Sequence, residues 1–256
     1  MSESAHEKQM DDKDYIGWKN WADNDFGLVT PGRCFYFDQV FKPRLRERSK
    51  VLEIGFGNGD LLGYFRKHGH EIIGVEINDT LVRRAKRLGY TAYSSAFVWN
   101  IAELQSEKFD QISAFSVVEH MNHEQLNAFF SWVKNHFNEG GKLYLQFPEG
   151  ASPFGLANQN GDFTHITSLT KAKIEVLCDA NNMEILSYSD DILSSNRLCS
   201  FGIPGKMALL LLQWYANIVK RVLRIFLYPL STSLRLGTNS IAVIAVRKIT
   251  SGRHDR

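Results

Sequence analysis

Short apolar runs alternate with amphipathic stretches through the middle of this chain. Runs of strand length, rich in β-branched and aromatic residues, predict strands at 51–55, 71–76, 91–94, 109–115 and 142–147. Between them, apolar residues spaced three or four apart predict helices over 60–68, 79–88 and 124–137, with a weaker one near 98–104. Asn138-Glu139-Gly140-Gly141 reads as the turn into the fifth strand. A further helix over 169–180, with Thr167 or Ser168 as its N-cap, leads to a strand at 184–189, and 240–247 makes the last strand. Apolar strands separated by amphipathic helices imply a largely parallel sheet with helices on both faces, so the fold class is α/β.

Two segments depart from this alternation. Tyr15 to Phe41 is dense in aromatics (Trp18, Trp21, Phe26, Phe35, Tyr36, Phe37) and either forms a lid over a ligand crevice or covers a sheet edge. About fifty residues separate the last two strands, and they include the apolar stretch 206–228. Its polar residues Gln213, Asn217, Lys220, Arg221 and Arg224 recur at helical spacing along one narrow stripe. A spanning helix needs about twenty apolar residues, and three charges in one half argue against that. The stripe suits a helix lying in an anionic membrane surface, cations among the headgroups, or one packed on protein.

Charge sharpens this contrast. The 256 residues carry a net charge of only +2, yet from Ile192 to His254 there are nine Lys and Arg and no acid. With those nine, Arg256 and Asp255 set aside, 20 basic residues face 27 acidic ones before Ile192. An acidic body thus bears a basic, apolar appendage, the pattern of a chain that meets an anionic surface. The body spans 15–191 plus 240–250, the appendage 192–239, and the polar stretch 1–14 is expected to be a disordered tail and neither a signal nor a transit peptide. Cys34, Cys178 and Cys199 match no metal or disulfide spacing, as in a reducing, cytoplasmic compartment.

The chemistry concentrates at Val51–Asp60, VLEIGFGNGD. Glycines at alternate positions let the backbone turn sharply and approach a ligand, and the following helix offers unpaired N–H groups to the same crevice. Glu76 ends the next strand, where a carboxylate can accept from both hydroxyls of a ribose. The spacing is E-x-G-x-G-x-G, one residue tighter than the dinucleotide fingerprint and led by an acid, Glu53, which suits a positively charged cofactor better than a pyrophosphate. This segment resembles motif I of class I S-adenosylmethionine-dependent methyltransferases, and Glu76 resembles the acid of their post-I motif.

The resemblance implies a Rossmann-like, doubly wound sheet of seven strands with the last antiparallel, and S-adenosylmethionine as cofactor. It implies that Gly55, Gly57 and Gly59 pass the methionyl part, that Glu53 orients the loop and the amino group, that Glu76 holds the ribose, and that Ile77 lies beside the adenine. The usual acid after the third strand is missing, which leaves the backbones of Ala96 and Phe97 for the adenine amino group. Phe109 to Met121, FDQISAFSVVEHM, is similar to the F-D-x-I…E-H segment of the branch containing ubiquinone-biosynthesis-type and sugar O-methyltransferases. Ser116 and Val117 are then expected at the cofactor, with Glu119 and His120 facing the crevice and His123 one turn beyond.

Asp162-Phe163-Thr164-His165 is similar to the acceptor-side loop of the same branch. His165 is the preferred general base, Asp162 its orienting partner and His120 the competing base. Glu119-His120-x-x-His123 lacks the H-E-x-x-H order, so no metal is assigned. The opening Gly17–Gly27, G-W-K-x-W…D-F-G, looks like that of methyltransferases of cell-surface polysaccharide pathways. The expected reaction is O-methylation of a sugar hydroxyl in polysaccharide or glycolipid biosynthesis. The alternatives are a quinone-type aromatic acceptor, or a cofactor-binding scaffold without activity. No N-P-P-Y-type tetrapeptide occurs, and a nucleic-acid substrate is not expected.

Overall fold

A computed structural model describes residues 16–17, 19, 21–227 and 235–247. The N-terminal stretch 1–14, Trp18 and the residues after 247 lie outside them. Seven strands, β1 (Lys50–Ile54), β2 (Glu71–Glu76), β3 (Thr91–Ser94), β4 (Phe109–Phe115), β5 (Phe137–Pro148), β6 (Met183–Asp190) and β7 (Asn239–Val246), form one sheet. Their order is β3-β2-β1-β4-β5-β7-β6. β1 to β5 run parallel, and β7 runs antiparallel between β5 and β6. The strand order reverses between β1 and β4, and the carboxyl ends there flank the crevice where such sheets bind ligands.

Alternation along each strand feeds two cores. Leu52, Ile112, Leu143 and Ile244 face one layer, with α4 (His123–Asn135) supplying Phe129, Phe130 and Val133, and α6 (Lys171–Ala180) supplying Ile174 and Leu177. Val51, Tyr144 and Val243 face the other layer. There α1 (Pro31–Phe41), α2 (Asp60–Lys67) and α3 (Asp79–Arg87) contribute Phe37, Phe41, Leu62, Phe65 and Leu81. Phe41 is fully buried, with its ring 5.2 Å from Phe65, 4.8 Å from Tyr144 and 5.8 Å from Phe115. Phe35, Tyr36 and Phe37 are likewise buried; Tyr36 and Phe37 cover the sheet, while Phe35 faces the segment between β6 and β7.

Local chemistry fixes the helix starts. Thr30 caps α1, Asn78 caps α3, and Asn122 with Gln125 forms a reciprocal capping box on α4. The cap of α6 is Thr170, which accepts from the Lys173 N–H, so the helix starts later than the pattern suggested. Thr167 instead donates its hydroxyl to the Met121 carbonyl at 2.6 Å. Asn138 to Gly141 lie inside β5, where the register jumps from Phe109↔Phe137 to Gln111↔Lys142. They form a bulge, with Gly140 at φ 73°, and make no turn before the strand. The weak helical signal near 98–104 resolves into two 3₁₀ turns, Val98–Asn100 and Ala102–Leu104.

Between β6 and β7 the chain forms α7 (Asn196–Cys199) and the 25-residue α8 (Ile203–Leu227), after the short α5 (Leu156–Asn160) earlier in the chain. Asn196 Oδ1 accepts the Gly32 N–H at 2.9 Å, and Leu209 and Cys199 pack on Phe35, which ties this region to α1. Two residues of the polar stripe of α8, Gln213 and Lys220, meet the body, while Asn217, Arg221 and Arg224 stay exposed. Gln213 accepts from the Leu193 N–H at 2.7 Å and donates to Asn217, while Lys220 Nζ lies 2.8 Å from Asp190. The opposite stripe, Ile203, Met207, Leu211, Trp214, Ile218, Val222 and Phe226, is exposed. No helix among the described residues is long and apolar enough to cross a membrane. Phe41→Ala removes the ring shared by both α1 and the sheet and is expected to lower unfolding free energy by about 3–5 kcal/mol in denaturant titration.

Candidate active site

The loop after β1 is shaped by backbone that only glycine tolerates. Gly55, Gly57 and Gly59 have φ of 75°, 51° and 76°. A Cβ at position 55 would lie 2.3 Å from Val117 Cγ2, so glycine lets the end of β1 touch the end of β4. Trp21 and Phe26 stand against the same loop, within 2.9 Å and 2.8 Å of where side chains at 57 and 59 would begin. These two aromatics, unlike Phe35 to Phe37, are in the lid position.

Glu76 is buried at the tip of β2. Its Oε2 accepts from the Gly57 N–H at 2.9 Å, and its Oε1 accepts from the N–H groups of Ile77 (2.8 Å) and Asn78 (3.1 Å). The carboxylate therefore sits between the glycine loop and the segment where Ile77 exposes its side chain, a polar anchor beside an apolar platform. Glu53 is buried beneath the loop, and its Oε2 has no hydrogen-bond partner among the described residues. Burial drives its pKa well above the carboxylate range; Asp60 and Glu76 add to this and Arg33 opposes it. An orphaned buried acid fits a ligand that brings a cation or N–H donors. At the end of β3, the Phe97 N–H and C=O are both taken by the Ser95 hydroxyl, and Ala96 is left exposed. Ser116 adopts φ 54°, a strained conformation for a residue with a side chain, at the point where β4 enters the site.

Beyond Val117, the 3₁₀ turn Val118–His120 meets the loop carrying Asp162 and His165. The Glu119 carbonyl accepts from the N–H groups of both Ile166 and Thr167 at 3.0 Å, which fastens two segments far apart in sequence. The His120 and His165 rings stand edge to face, 4.7 Å apart. His165 Nε2 lies 3.9 Å from both Glu119 Oε1 and Asp162 Oδ2. Glu119 is fully buried, neither carboxylate oxygen has a hydrogen-bond partner of normal geometry, and burial lifts its pKa to about 7. Burial also lowers the His120 pKa. Asp162 is lifted by burial, but hydrogen bonds from the Thr164 hydroxyl and N–H more than offset this and hold it below its ordinary value. His123, in contrast, opens α4 and hydrogen-bonds to Asn127, away from this cluster.

Two participants were not singled out from the sequence. Thr164 touches both His120 and Asp162, and the Gln159 carbonyl lies 3.2 Å from His165 Nδ1. Thr164 sits within the D-x-T-H pattern and was legible there; Gln159 acts through its backbone, which leaves no mark on side-chain identity.

Residues 33–188 match the methyltransferase domain family. The chain belongs to that family. No curated protein matches this methyltransferase in sequence. Among solved structures it is similar to a SAM-dependent methyltransferase from Archaeoglobus fulgidus, at 15% identity and TM-score 0.59, over 90% of this chain and 97% of that one. A possible histamine N-methyltransferase from Thermotoga maritima aligns at 14% identity and TM-score 0.56, over 93% and 97%. CalO1, a methyltransferase in calicheamicin biosynthesis in its SAH-bound form, aligns at 13% identity and TM-score 0.52, over 90% and 56%. At these identities the likeness is one of fold, and the seven-stranded sheet of the methyltransferase is the shared feature.

The Glu119 carboxyl makes stability depend on pH. Its pKa rises from 4.5 to about 7 on folding, so the native state keeps a proton that the unfolded chain releases. The ligand-free methyltransferase is expected to lose stability as pH rises from about 4.5 to about 7, and Glu119→Gln to flatten that window. Urea titrations at a series of pH values measure it; an unchanged slope in the variant removes Glu119 as its source.

Proposed function

We propose that this methyltransferase uses S-adenosylmethionine to methylate a hydroxyl group of a sugar in a cell-surface polysaccharide or glycolipid. The observation that carries the reading is the Gly55–Val117 contact, which sets the glycine loop directly beside the Glu119–His120–His165 cluster. The bound cofactor supplies an electrophilic methyl on a sulfonium. Gly55, Gly57 and Gly59 give its methionyl part room, Glu53 turns an unpaired oxygen toward its ammonium group, and Glu76 exchanges backbone N–H partners for ribose hydroxyls. Ile77 offers an apolar surface to the adenine, with Ala96 at its edge. Ser116 and Val117 border the methyl-bearing end. The acceptor hydroxyl gives up its proton at the histidine cluster, with Asp162 and Thr164 holding His120 in place. Trp21 and Phe26 shield the loop from water, which strengthens the carboxylate contacts beneath them.

The outward stripe of α8 bears on where the acceptor is met. It combines Leu, Ile, Trp and Phe side chains with the exposed Arg221 and Arg224 in a region without acids. This supports peripheral attachment to an anionic membrane by insertion of the apolar stripe, with a lipid-linked sugar as acceptor. The same stripe favours the second reading, a lipophilic quinone precursor.

Glu76→Ala is expected to lower cofactor affinity at least a hundredfold in calorimetric titration, because it removes charge-assisted hydrogen bonds in a buried site. His165→Ala is expected to cut turnover about a hundredfold or more while leaving cofactor affinity within twofold. Incubation with labelled cofactor and fractionated membrane or glycan extracts assigns the acceptor; label confined to a quinone fraction excludes the sugar. Trp214→Ser combined with Phe226→Ser is expected to release the protein from vesicles containing anionic lipid, as read by sedimentation. Failure of the wild type to sediment excludes the membrane reading.

A further inference from the structure

The metal-ligand spacing that the sequence lacks is supplied by the fold from a different histidine. Glu119, His120 and His165 place their ligand atoms within 4.8 Å of one another. The hydrogen bonds around them define what each ring presents. His165 Nδ1 lies 3.2 Å from the Gln159 carbonyl and His120 Nδ1 lies 3.1 Å from the Thr164 carbonyl, and a carbonyl can only accept. The Thr164 hydroxyl, 3.0 Å from His120 Nδ1, directs its own proton to Asp162 Oδ1. Both Nδ1 atoms therefore carry hydrogen, and both Nε2 atoms present lone pairs. Glu119 adds two buried oxygens without a hydrogen-bond partner of normal geometry. Its 3.9 Å separation from His165 Nε2 is too long for a hydrogen bond.

Two imidazole lone pairs and a carboxyl without a partner of normal geometry thus converge, in a place where burial penalises an uncompensated carboxylate. A cation satisfies all three at once. Imidazoles whose outer nitrogens are fastened to backbone carbonyls are also the form in which histidines serve metals, because the fastening fixes tautomer and ring orientation.

We infer that Glu119, His120 and His165 form a binding site for one divalent first-row transition cation. Two imidazole nitrogens and one carboxylate select Zn²⁺, Mn²⁺, Fe²⁺ or Co²⁺ over Mg²⁺ and Ca²⁺, which prefer oxygen ligands throughout. Bonds of about 2.1 Å place neighbouring ligands about 3–3.5 Å apart, so the three side chains draw together on loading. Three protein ligands leave coordination positions for the substrate. Asp162 Oδ2, 3.9 Å from His165 Nε2, is placed to hold a coordinated water.

This role deepens the methyl-transfer reading and rests on it. With the cation bound, the histidines hold it and do not take the proton themselves: the cation accepts a lone pair of the acceptor hydroxyl and acidifies it, and the proton leaves to water as the O–CH₃ bond forms and the S–CH₃ bond breaks. An acceptor with two adjacent hydroxyls fills two open positions, so the substrate class is a vicinal diol, as sugars and catechols provide.

The test is equilibrium dialysis of the chelator-treated, full-length protein against Co²⁺, with metal analysis and visible absorption as readouts. One Co²⁺ per chain is expected, with Glu119→Gln and His165→Ala each weakening uptake at least tenfold and His123→Ala leaving it unchanged. X-ray absorption of the wild-type Co²⁺ complex is expected to show two imidazole ligands, a readout that needs no variant to fold. Absence of stoichiometric uptake, uptake that both variants leave intact, or a complex without imidazole ligands overturns the site. Cofactor binding, titrated on the same samples, reports separately on the methyltransferase reading.

Discussion

The contact between Gly55 and Val117 governs this molecule. It lies where the strand order reverses, and it exists because residue 55 has no Cβ to collide with the valine. Through it the ends of β1 and β4 are brought together, so that the glycine loop and the Glu119–His120–His165 cluster lie side by side. Parallel pairing of the two strands sets their register, Ile54 opposite Ala114, and the loops that follow inherit that alignment. A larger residue at 55 would separate the glycine loop from the turn that presents Glu119. Sheet geometry and reaction geometry are the same constraint seen at two scales.

The crevice stores an unfavourable term that the fold alone does not relieve. Glu53 and Glu119 are buried acids with unpartnered oxygens, and burial raises the pKa of both. Glu149, equally buried, accepts from the Tyr188 hydroxyl, the Ser240 hydroxyl and the Ala151 N–H. Residual strain at Ser116 sits in the crevice, paid for by the surrounding sheet.

The C-terminal appendage follows a different logic. α8 docks by its polar stripe, through Gln213 and Lys220, and leaves its apolar stripe outside. Helical periodicity groups the polar residues of α8 along one stripe but does not say that only Gln213 and Lys220 of them meet the body. That choice depended on Asp190, at the end of β6, which pairs with both Lys220 and Arg235. A local pattern contains two faces; the neighbour that selects between them is remote in sequence.

Strands β2, β3 and β4, the three flanking helices and the glycine loop were legible in the sequence because each rests on interactions within a few residues: alternation, caps, and left-handed glycines. Motif I and Glu76 were legible for the same reason, being contiguous. The bulge in β5 was not, since the neighbouring strand settles it, nor was the choice of Thr170 over Thr167 as cap, because Thr167 gives its hydroxyl to the distant Met121 carbonyl. The pairing of Glu119 with His165 also required the fold. Those residues are joined by backbone hydrogen bonds from Ile166 and Thr167 to the Glu119 carbonyl, which any residue types could make. The sequence by itself thus determined the sheet, the glycine loop and the family. The tertiary structure decided which histidine meets Glu119 and which face of α8 looks outward, because both depend on contacts between segments that no local pattern encodes.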